Sequence, residues 1–273
     1  MKILRHLSTN DIVFIDIETV RCENTLKKGS ALESAWEYKV RYESEGKSKE
    51  TSPGILFKEK AALYAEFGKI VCITVGRIHK GKEGGDAPIF KNYSHEDEKV
   101  LLQSFMDDLN KVCYVNKNTF LFGHAIKGFD MPFIFRRCLI NGVEPNHLFD
   151  IGDIKPWEQT AKDTMELWKS GAFYSASLIA ISTAFGLPSP KNDINGSEVS
   201  DVYWADTKLG LERVVKYCMK DVLTLINVFR KCRFEEPFII KEIYEIEEPK
   251  KVVRKPRVKK APATKNVKIK ETV

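Results

Sequence analysis

Apolar residues in the first half of the chain come in short runs. Ile12 to Ile15 is bounded by Asn10 and Asp11, and Thr119 to Phe122 stops at Gly123. Runs of this length suit buried strands. Lys69 to Ile78 and Ala87 to Tyr93 read as two more strands, joined by a Gly-rich turn at Lys80 to Asp86. Other stretches repeat at intervals of three and four. These are Glu96 to Asn110, Met131 to Ile140, and Leu211 to Phe229, where Val214, Val215, Cys218, Val222, Leu225 and Ile226 fall on one stripe. That spacing predicts amphipathic helices. Ser177 to Phe185 reads as a short apolar helix ended by Gly186. The result is an α/β chain, in which the strand at Ile12 to Ile17 joins the two that follow as an antiparallel trio. Asn24 to Lys60 reads as an insertion, with a helix around Leu32 to Val40 and then a charged loop bearing Gly, Ser and Pro. Asp150 to Tyr174 carries Trp157 and Trp168 but no periodicity to assign. Lys191 to Trp204, rich in Asn, Gly and Ser, reads as a mobile loop.

Composition bounds the function. The chain has 273 residues, 43% of them hydrophobic, enough for a sizeable core in one large domain or two small ones. No apolar run is long enough to span a bilayer, and Met1 to Asn10 lacks the core of a signal peptide. Cys22, Cys72, Cys113, Cys138, Cys218 and Cys232 include no C-x-x-C pair. They read as reduced, buried thiols of a cytoplasmic protein and not as a zinc site. Charge is unevenly placed: Pro249 to Val273 holds ten Lys or Arg against one Glu, so the net +6 is a +9 segment on a −3 body. We expect residues 1–248 to form the domain. We expect 249–273 to be a disordered basic tail, since it lacks the apolar surface to order itself. Contact with phosphates, docking of a protein partner and plain solubility are all compatible with such a tail.

Three segments carry candidate chemistry. In Phe14-Ile15-Asp16-Ile17-Glu18-Thr19 the two acids lie two apart on a strand and share a face. Asp130 stands before an apolar helical stretch with Pro132 in its first turn; a helix N-cap and a metal ligand are both open to it. Tyr217 and Asp221 lie four apart on a helix, one turn from each other. Each pattern alone is common, as exposed acids or as a surface pair. Together they offer four carboxylates and a phenol. Converging carboxylates repel, and two divalent cations about 4 Å apart are the usual answer in phosphodiester hydrolysis.

The ordered set resembles the DEDDy group of 3′–5′ exonucleases in the ribonuclease H-like superfamily. It is most similar to the proofreading domain of family B DNA polymerases and to stand-alone bacterial and phage relatives of that domain. Asp16 and Glu18 match the first motif, Asp130 the second, and Tyr217 with Asp221 the third, supported by Gly123-His124 and by Lys127 to Phe133. The resemblance covers roughly residues 10 to 230 and implies a ribonuclease H-like mixed sheet flanked by helices. It implies two Mg2+ or Mn2+ ions per site: Asp16, Glu18 and Asp221 for the cation that activates water, Asp16 and Asp130 for the one at the leaving 3′ oxygen. Tyr217 would orient the water, and Thr19 and Phe129 would flank the ligands and touch the terminal nucleotide, though Phe129 is better suited to the core. The implied substrate is single-stranded DNA or a DNA 3′ end, and the implied products are 5′-mononucleotides. RNA ends, or an inactive nucleic-acid-binding module on the same fold, are the rival readings. A replication or repair partner held through the basic tail is a further expectation, and no membrane is implied. Family members commonly carry Asn after the Gly-His pair, where this chain has Ala125, which bears on how the substrate end is held. His124 reads as a structural residue.

Overall fold

The structure, a computed structural model, describes residues 2–44, 52–81, 85–152, 154, 155, 159, 161–188 and 194–239. A short helix α1 (Lys2–Arg5) leads into β1 (Ile12–Arg21), whose alternation decides the architecture. Val13, Ile15 and Ile17 face one core. Ile12 and Phe14 face the other, and the same face continues through Asp16 and Glu18 to Val20. The strand outruns the apolar segment that predicts it because β2 (Gly68–Lys80) pairs antiparallel with it as far as Arg21, through a bulge between Glu18 and Thr19. β3 (Asp86–Ser94) pairs antiparallel with β2, which completes the expected trio. On the other side β4 (Phe120–Gly123) and β5 (Lys162–Asp163) run parallel to β1, giving the order β3-β2-β1-β4-β5. The sheet is thus mixed and flanked by helices, an α/β architecture.

Helices cover both faces. α4 (Glu98–Val115) and α5 (Asp130–Asn141) pack on the Val13/Ile15 face with Leu101, Phe105, Phe133 and Ile134. α7 (Leu178–Ala184), capped by the Ser177 hydroxyl, and α9 (Thr207–Cys232), capped by Asp206, lie on the other. There Phe229 meets Phe14 and Phe122 at ring centroids 5.2 and 5.1 Å away. Two glycines let α9 sit close. A Cβ on Gly76 of β2 would lie 2.7 Å from Val222, and one on Gly210 would lie 2.2 Å from the Val202 carbonyl. α2 (Ala31–Ser44) and α3 (Pro53–Lys60) form a satellite core around Trp36, whose indole donates to the Pro53 carbonyl at 2.8 Å.

Several expectations change here. α3 lies in the stretch read as a charged loop; Ser52 caps it and Leu56 and Phe57 bury against Trp36. The unassigned stretch 150–174 contains β5 and α6 (Thr164–Lys169). The expected mobile loop at Lys191 to Trp204 is largely helical: a 3-10 turn at Gly196–Glu198 runs into α8 (Val199–Ala205). Its polar residues tie it to the end of β1. Ser200 accepts from the Arg21 amide at 3.1 Å, Asp201 pairs with the Arg21 guanidinium at 2.7 Å, and the Trp204 indole donates to the Arg21 carbonyl at 3.1 Å. Residues 189–193, the tip of the 24–60 insertion at 45–51, and the basic segment expected to be disordered lie outside the described residues. Among the described residues no helix is long and apolar enough to cross a membrane.

One buried ion pair locks the α4–α5 layer to the sheet. Glu98 accepts from the Ile70 amide at 2.7 Å, from Asn141 at 3.0 Å and from the Arg137 guanidinium, which also donates to the Ala65 carbonyl at 2.8 Å. Removing one partner leaves an uncompensated buried charge. Arg137→Met is therefore expected to cost about 3–5 kcal/mol of unfolding free energy, and the double change Glu98→Leu/Arg137→Met less than the sum of the single changes. Urea unfolding checks this; a loss under about 1 kcal/mol for the single variant contradicts it.

Candidate active site

Sheet and helices bring the four predicted acids to one place. Asp16 and Glu18 project from β1 toward α9, where Asp221 and Tyr217 face them. Asp130 comes from the other side of the sheet, at the start of α5. It is the first residue of that helix and not its cap, since Phe129 occupies the cap position without a side-chain bond. Its carboxylate instead accepts from the Ile17 amide at 3.2 Å. β4 ends at Gly123, so nothing in the sheet pairs that edge of β1 beyond Phe14, and the Asp130 oxygen takes up the free N–H. The N-cap reading of Asp130 is thereby replaced by a cross-link to the motif it works with.

The electrostatics record the crowding. Burial, then the charges of Asp130 and Asp221, push the Asp16 carboxyl well above its usual range. Burial, then Asp16 and Asp221, do the same to Glu18. Burial lifts Asp130 to about 7, against two backbone hydrogen bonds that pull it down. The Tyr217 phenol is pushed far above its ordinary value by burial and by Asp221 and Glu18, and Asp221 accepts its proton in a hydrogen bond. Glu18 is 8% exposed, and among the described residues its carboxylate makes no hydrogen bond or ion pair. No Lys, Arg or His pairs with Asp16, Glu18 or Asp130 among them either. Asp16 and Glu18 offer oxygens within 4.8 Å of each other, and at an effective dielectric of about 20 two ionised carboxylates at that separation repel by roughly 3 kcal/mol. Oxygen donors gathered with no Lys, Arg or His paired to Asp16, Glu18 or Asp130 among the described residues are the kind of set that could hold a metal ion.

Thr19 and Phe129 are both held in place by contacts away from the acids. The Thr19 hydroxyl donates to the Ala62 carbonyl at 2.8 Å, and Phe129 is half-buried against Phe133 with ring centroids 5.3 Å apart. His124 is structural as read: its Nδ1 lies 2.8 Å from the Thr164 hydroxyl, and burial lowers its pKa, favouring the neutral form.

Two residues escape the sequence reading. Asp163, 3% exposed, accepts from the Ala125 amide at 2.9 Å, the Lys127 amide at 3.3 Å and the Met165 amide at 2.9 Å, so it moulds the loop that delivers Asp130. It lies in the stretch without periodicity, and only its place before an apolar helical turn signals it. Cys218 stands among the carboxylates, its sulfur 3.3 Å from Asp16 Oδ2, and ligand atoms of Asp16, Glu18 and Cys218 all lie within 4.8 Å of one another. The signal for Cys218 was present: it precedes Asp221 by three on the same helical face. Ala125 adopts a left-handed backbone, φ 57°. Asn tolerates that region better than Ala, which gives the family's usual Asn a backbone reason.

The raised carboxyls set a pH dependence. Their folded pKa values exceed the unfolded values near 4, so the native state holds more protons in between and stability falls as pH rises from about 4 through about 7. For metal-free protein the melting temperature is expected to drop between pH 5 and pH 8, and added Mg2+ or Mn2+ to restore more of it at pH 8 than at pH 5. Calorimetry with and without chelator reads both; a metal effect independent of pH contradicts the assignment.

The model of a family described as "Predicted 3′-5′ exonuclease related to the exonuclease domain of PolB" matches residues 63–262. Among solved structures, a family B DNA polymerase from the hyperthermophilic archaeon Pyrobaculum calidifontis is similar at 14% identity and a TM-score of 0.46, over 82% of this chain and 24% of the polymerase. This chain thus spans about a quarter of that polymerase. No curated protein sequence matches the chain.

Proposed function

Because this chain belongs to the family of predicted 3′–5′ exonucleases related to the exonuclease domain of PolB, and on that ground is an exonuclease, we propose that it shortens DNA from the 3′ end and releases 5′-mononucleotides. The observation that carries the reading is the convergence of Asp16, Glu18, Asp130 and Asp221 in one buried site, with Tyr217 hydrogen-bonded to Asp221. The donors fit hard divalent cations, Mg2+ or Mn2+, because the four acids offer only oxygen and the buried Glu18 carboxylate has no hydrogen bond or ion pair among the described residues. Asp16, Glu18 and Asp221 would hold one, and Asp16 with Asp130 the other. When bound, such ions supply a hydroxide-like water at neutral pH and offset charge on the leaving oxygen.

The chain's own groups do the rest. Burial and the neighbouring carboxylates hold Tyr217 in its protonated form, and its proton is donated to Asp221 in a hydrogen bond, so its oxygen orients the attacking water as an acceptor and the phenol does not serve as the base. Asp130, tied to the Ile17 amide, fixes the distance between the second and first motifs. Asp163 keeps the Ala125–Lys127 loop in the shape that presents Asp130. We assign residues 1–248 to the exonuclease domain, and we read 249–273 as a basic arm on the phosphates of single-stranded DNA. Six free thiols suit a cytoplasmic setting.

A 5′-labelled single strand with Mg2+ is expected to give a descending ladder that chelation abolishes. Release of the label first, or activity indifferent to chelator, contradicts the proposal, and a clear preference for a matched RNA strand transfers it to RNA ends. Asp16→Ala should remove nearly all activity, since it serves both cation positions. Tyr217→Phe should lose no more than the 10²–10⁴-fold typical of one proton-handling group, because the cation ligands remain. Single-turnover rates at saturating metal separate the two; full activity in Tyr217→Phe overturns the role given to the phenol.

A further inference from the structure

The carboxylates account for hard cations, but a soft donor lies among them. Cys218 is fully buried on α9, and its sulfur lies 3.4 Å from the Asp16 carbonyl oxygen and 3.3 Å from Asp16 Oδ2. Glu18 completes a set whose ligand atoms fall within 4.8 Å of one another, and it is the carboxylate that has no hydrogen bond or ion pair among the described residues. A tetrahedral Zn2+ with bonds of about 2.3 Å to sulfur and about 2.0 Å to oxygen spans an S···O edge of about 3.5 Å. The observed 3.3 Å lies close to that edge. In the metal-free protein the same spacing is an S–H···O hydrogen bond, so the donors are already gathered, with a proton where the cation would sit.

Mg2+ gains little from this sulfur, because it selects oxygen ligands in octahedral geometry. Thiolate sulfur selects Zn2+ and similar cations. We infer that Asp16, Glu18 and Cys218 form a binding site for one thiophilic divalent cation, Zn2+ foremost, which overlaps the position proposed for the activating Mg2+ or Mn2+ and excludes it. The cation bonds to the Cys218 sulfur and two carboxylates, and the thiol proton leaves to solvent. The exclusion rests on the nuclease reading above; the binding itself does not.

Co2+ is the probe, because a cobalt–thiolate bond absorbs strongly in the near ultraviolet and cobalt bound by oxygen alone does not. Metal-free full-length protein titrated with Co2+ is expected to develop that band at one equivalent and to lose it on addition of Zn2+. Cys218→Ser and Cys218→Ala should each lack the band and bind Zn2+ weaker by at least the roughly 10- to 100-fold that loss of a supporting partner costs. Cys138→Ala, an equally buried thiol on the opposite face of the sheet, should keep it. A wild-type protein that binds Co2+ without the band, a Cys218 variant that retains it, or its loss in Cys138→Ala overturns the inference. An intact band in a protein that leaves DNA 3′ ends untouched overturns the proposed function instead.

Discussion

Repulsion among buried and half-buried carboxylates is the constraint around which this molecule is organised. Asp16 and Glu18 occupy positions on β1 that continue the face of Ile12 and Phe14, where the fold elsewhere places apolar side chains. Asp221 is laid against them by a helix that otherwise buries Val214, Val222 and Phe229. Nothing in such packing favours four acids, and the raised pKa values of Asp16, Glu18 and Asp130 express the cost. The rest of the structure has to hold the elements together against it.

It does so by ordinary means applied close to the site. The Phe14–Phe122–Phe229 contact fastens α9 to β1 and β4 beside Asp16. Gly76 and Gly210 remove the side chains that would lift α9 away. The Glu98–Arg137 pair clamps the helix that begins with Asp130. Asp163 and the Ile17 amide fix the start of that helix from two sides. Strain accepted at a functional site is thus opposed by packing outside it.

Much of this was legible in the sequence wherever a period carried the information. The two-residue spacing of Asp16 and Glu18 and the four-residue spacing of Tyr217 and Asp221 place those pairs on common faces, and the structure keeps both. What escaped depends on contacts between distant residues. α8 exists because Ser200, Asp201 and Trp204 reach Arg21, about 180 positions away, and an Asn/Gly/Ser-rich stretch gives no hint of that. β5 is two residues long and, among the described residues, pairs only with β4. Asp130 reads as a cap from its neighbours alone, because the amide it serves belongs to β1. Cys218 reads as one more core thiol until Asp16 is placed beside it.

Replacing one acid by its neutral isostere tests the central claim most directly. Asn at position 16 keeps an oxygen for the Cys218 thiol and removes only charge. Urea unfolding of chelator-treated protein at pH 8 is expected to find Asp16→Asn more stable than the natural chain and nearly insensitive to added Mg2+, while the natural chain gains stability from the metal. A variant that is less stable without metal and gains as much from Mg2+ as the natural chain would contradict the account, since the acids would then support the fold instead of straining it.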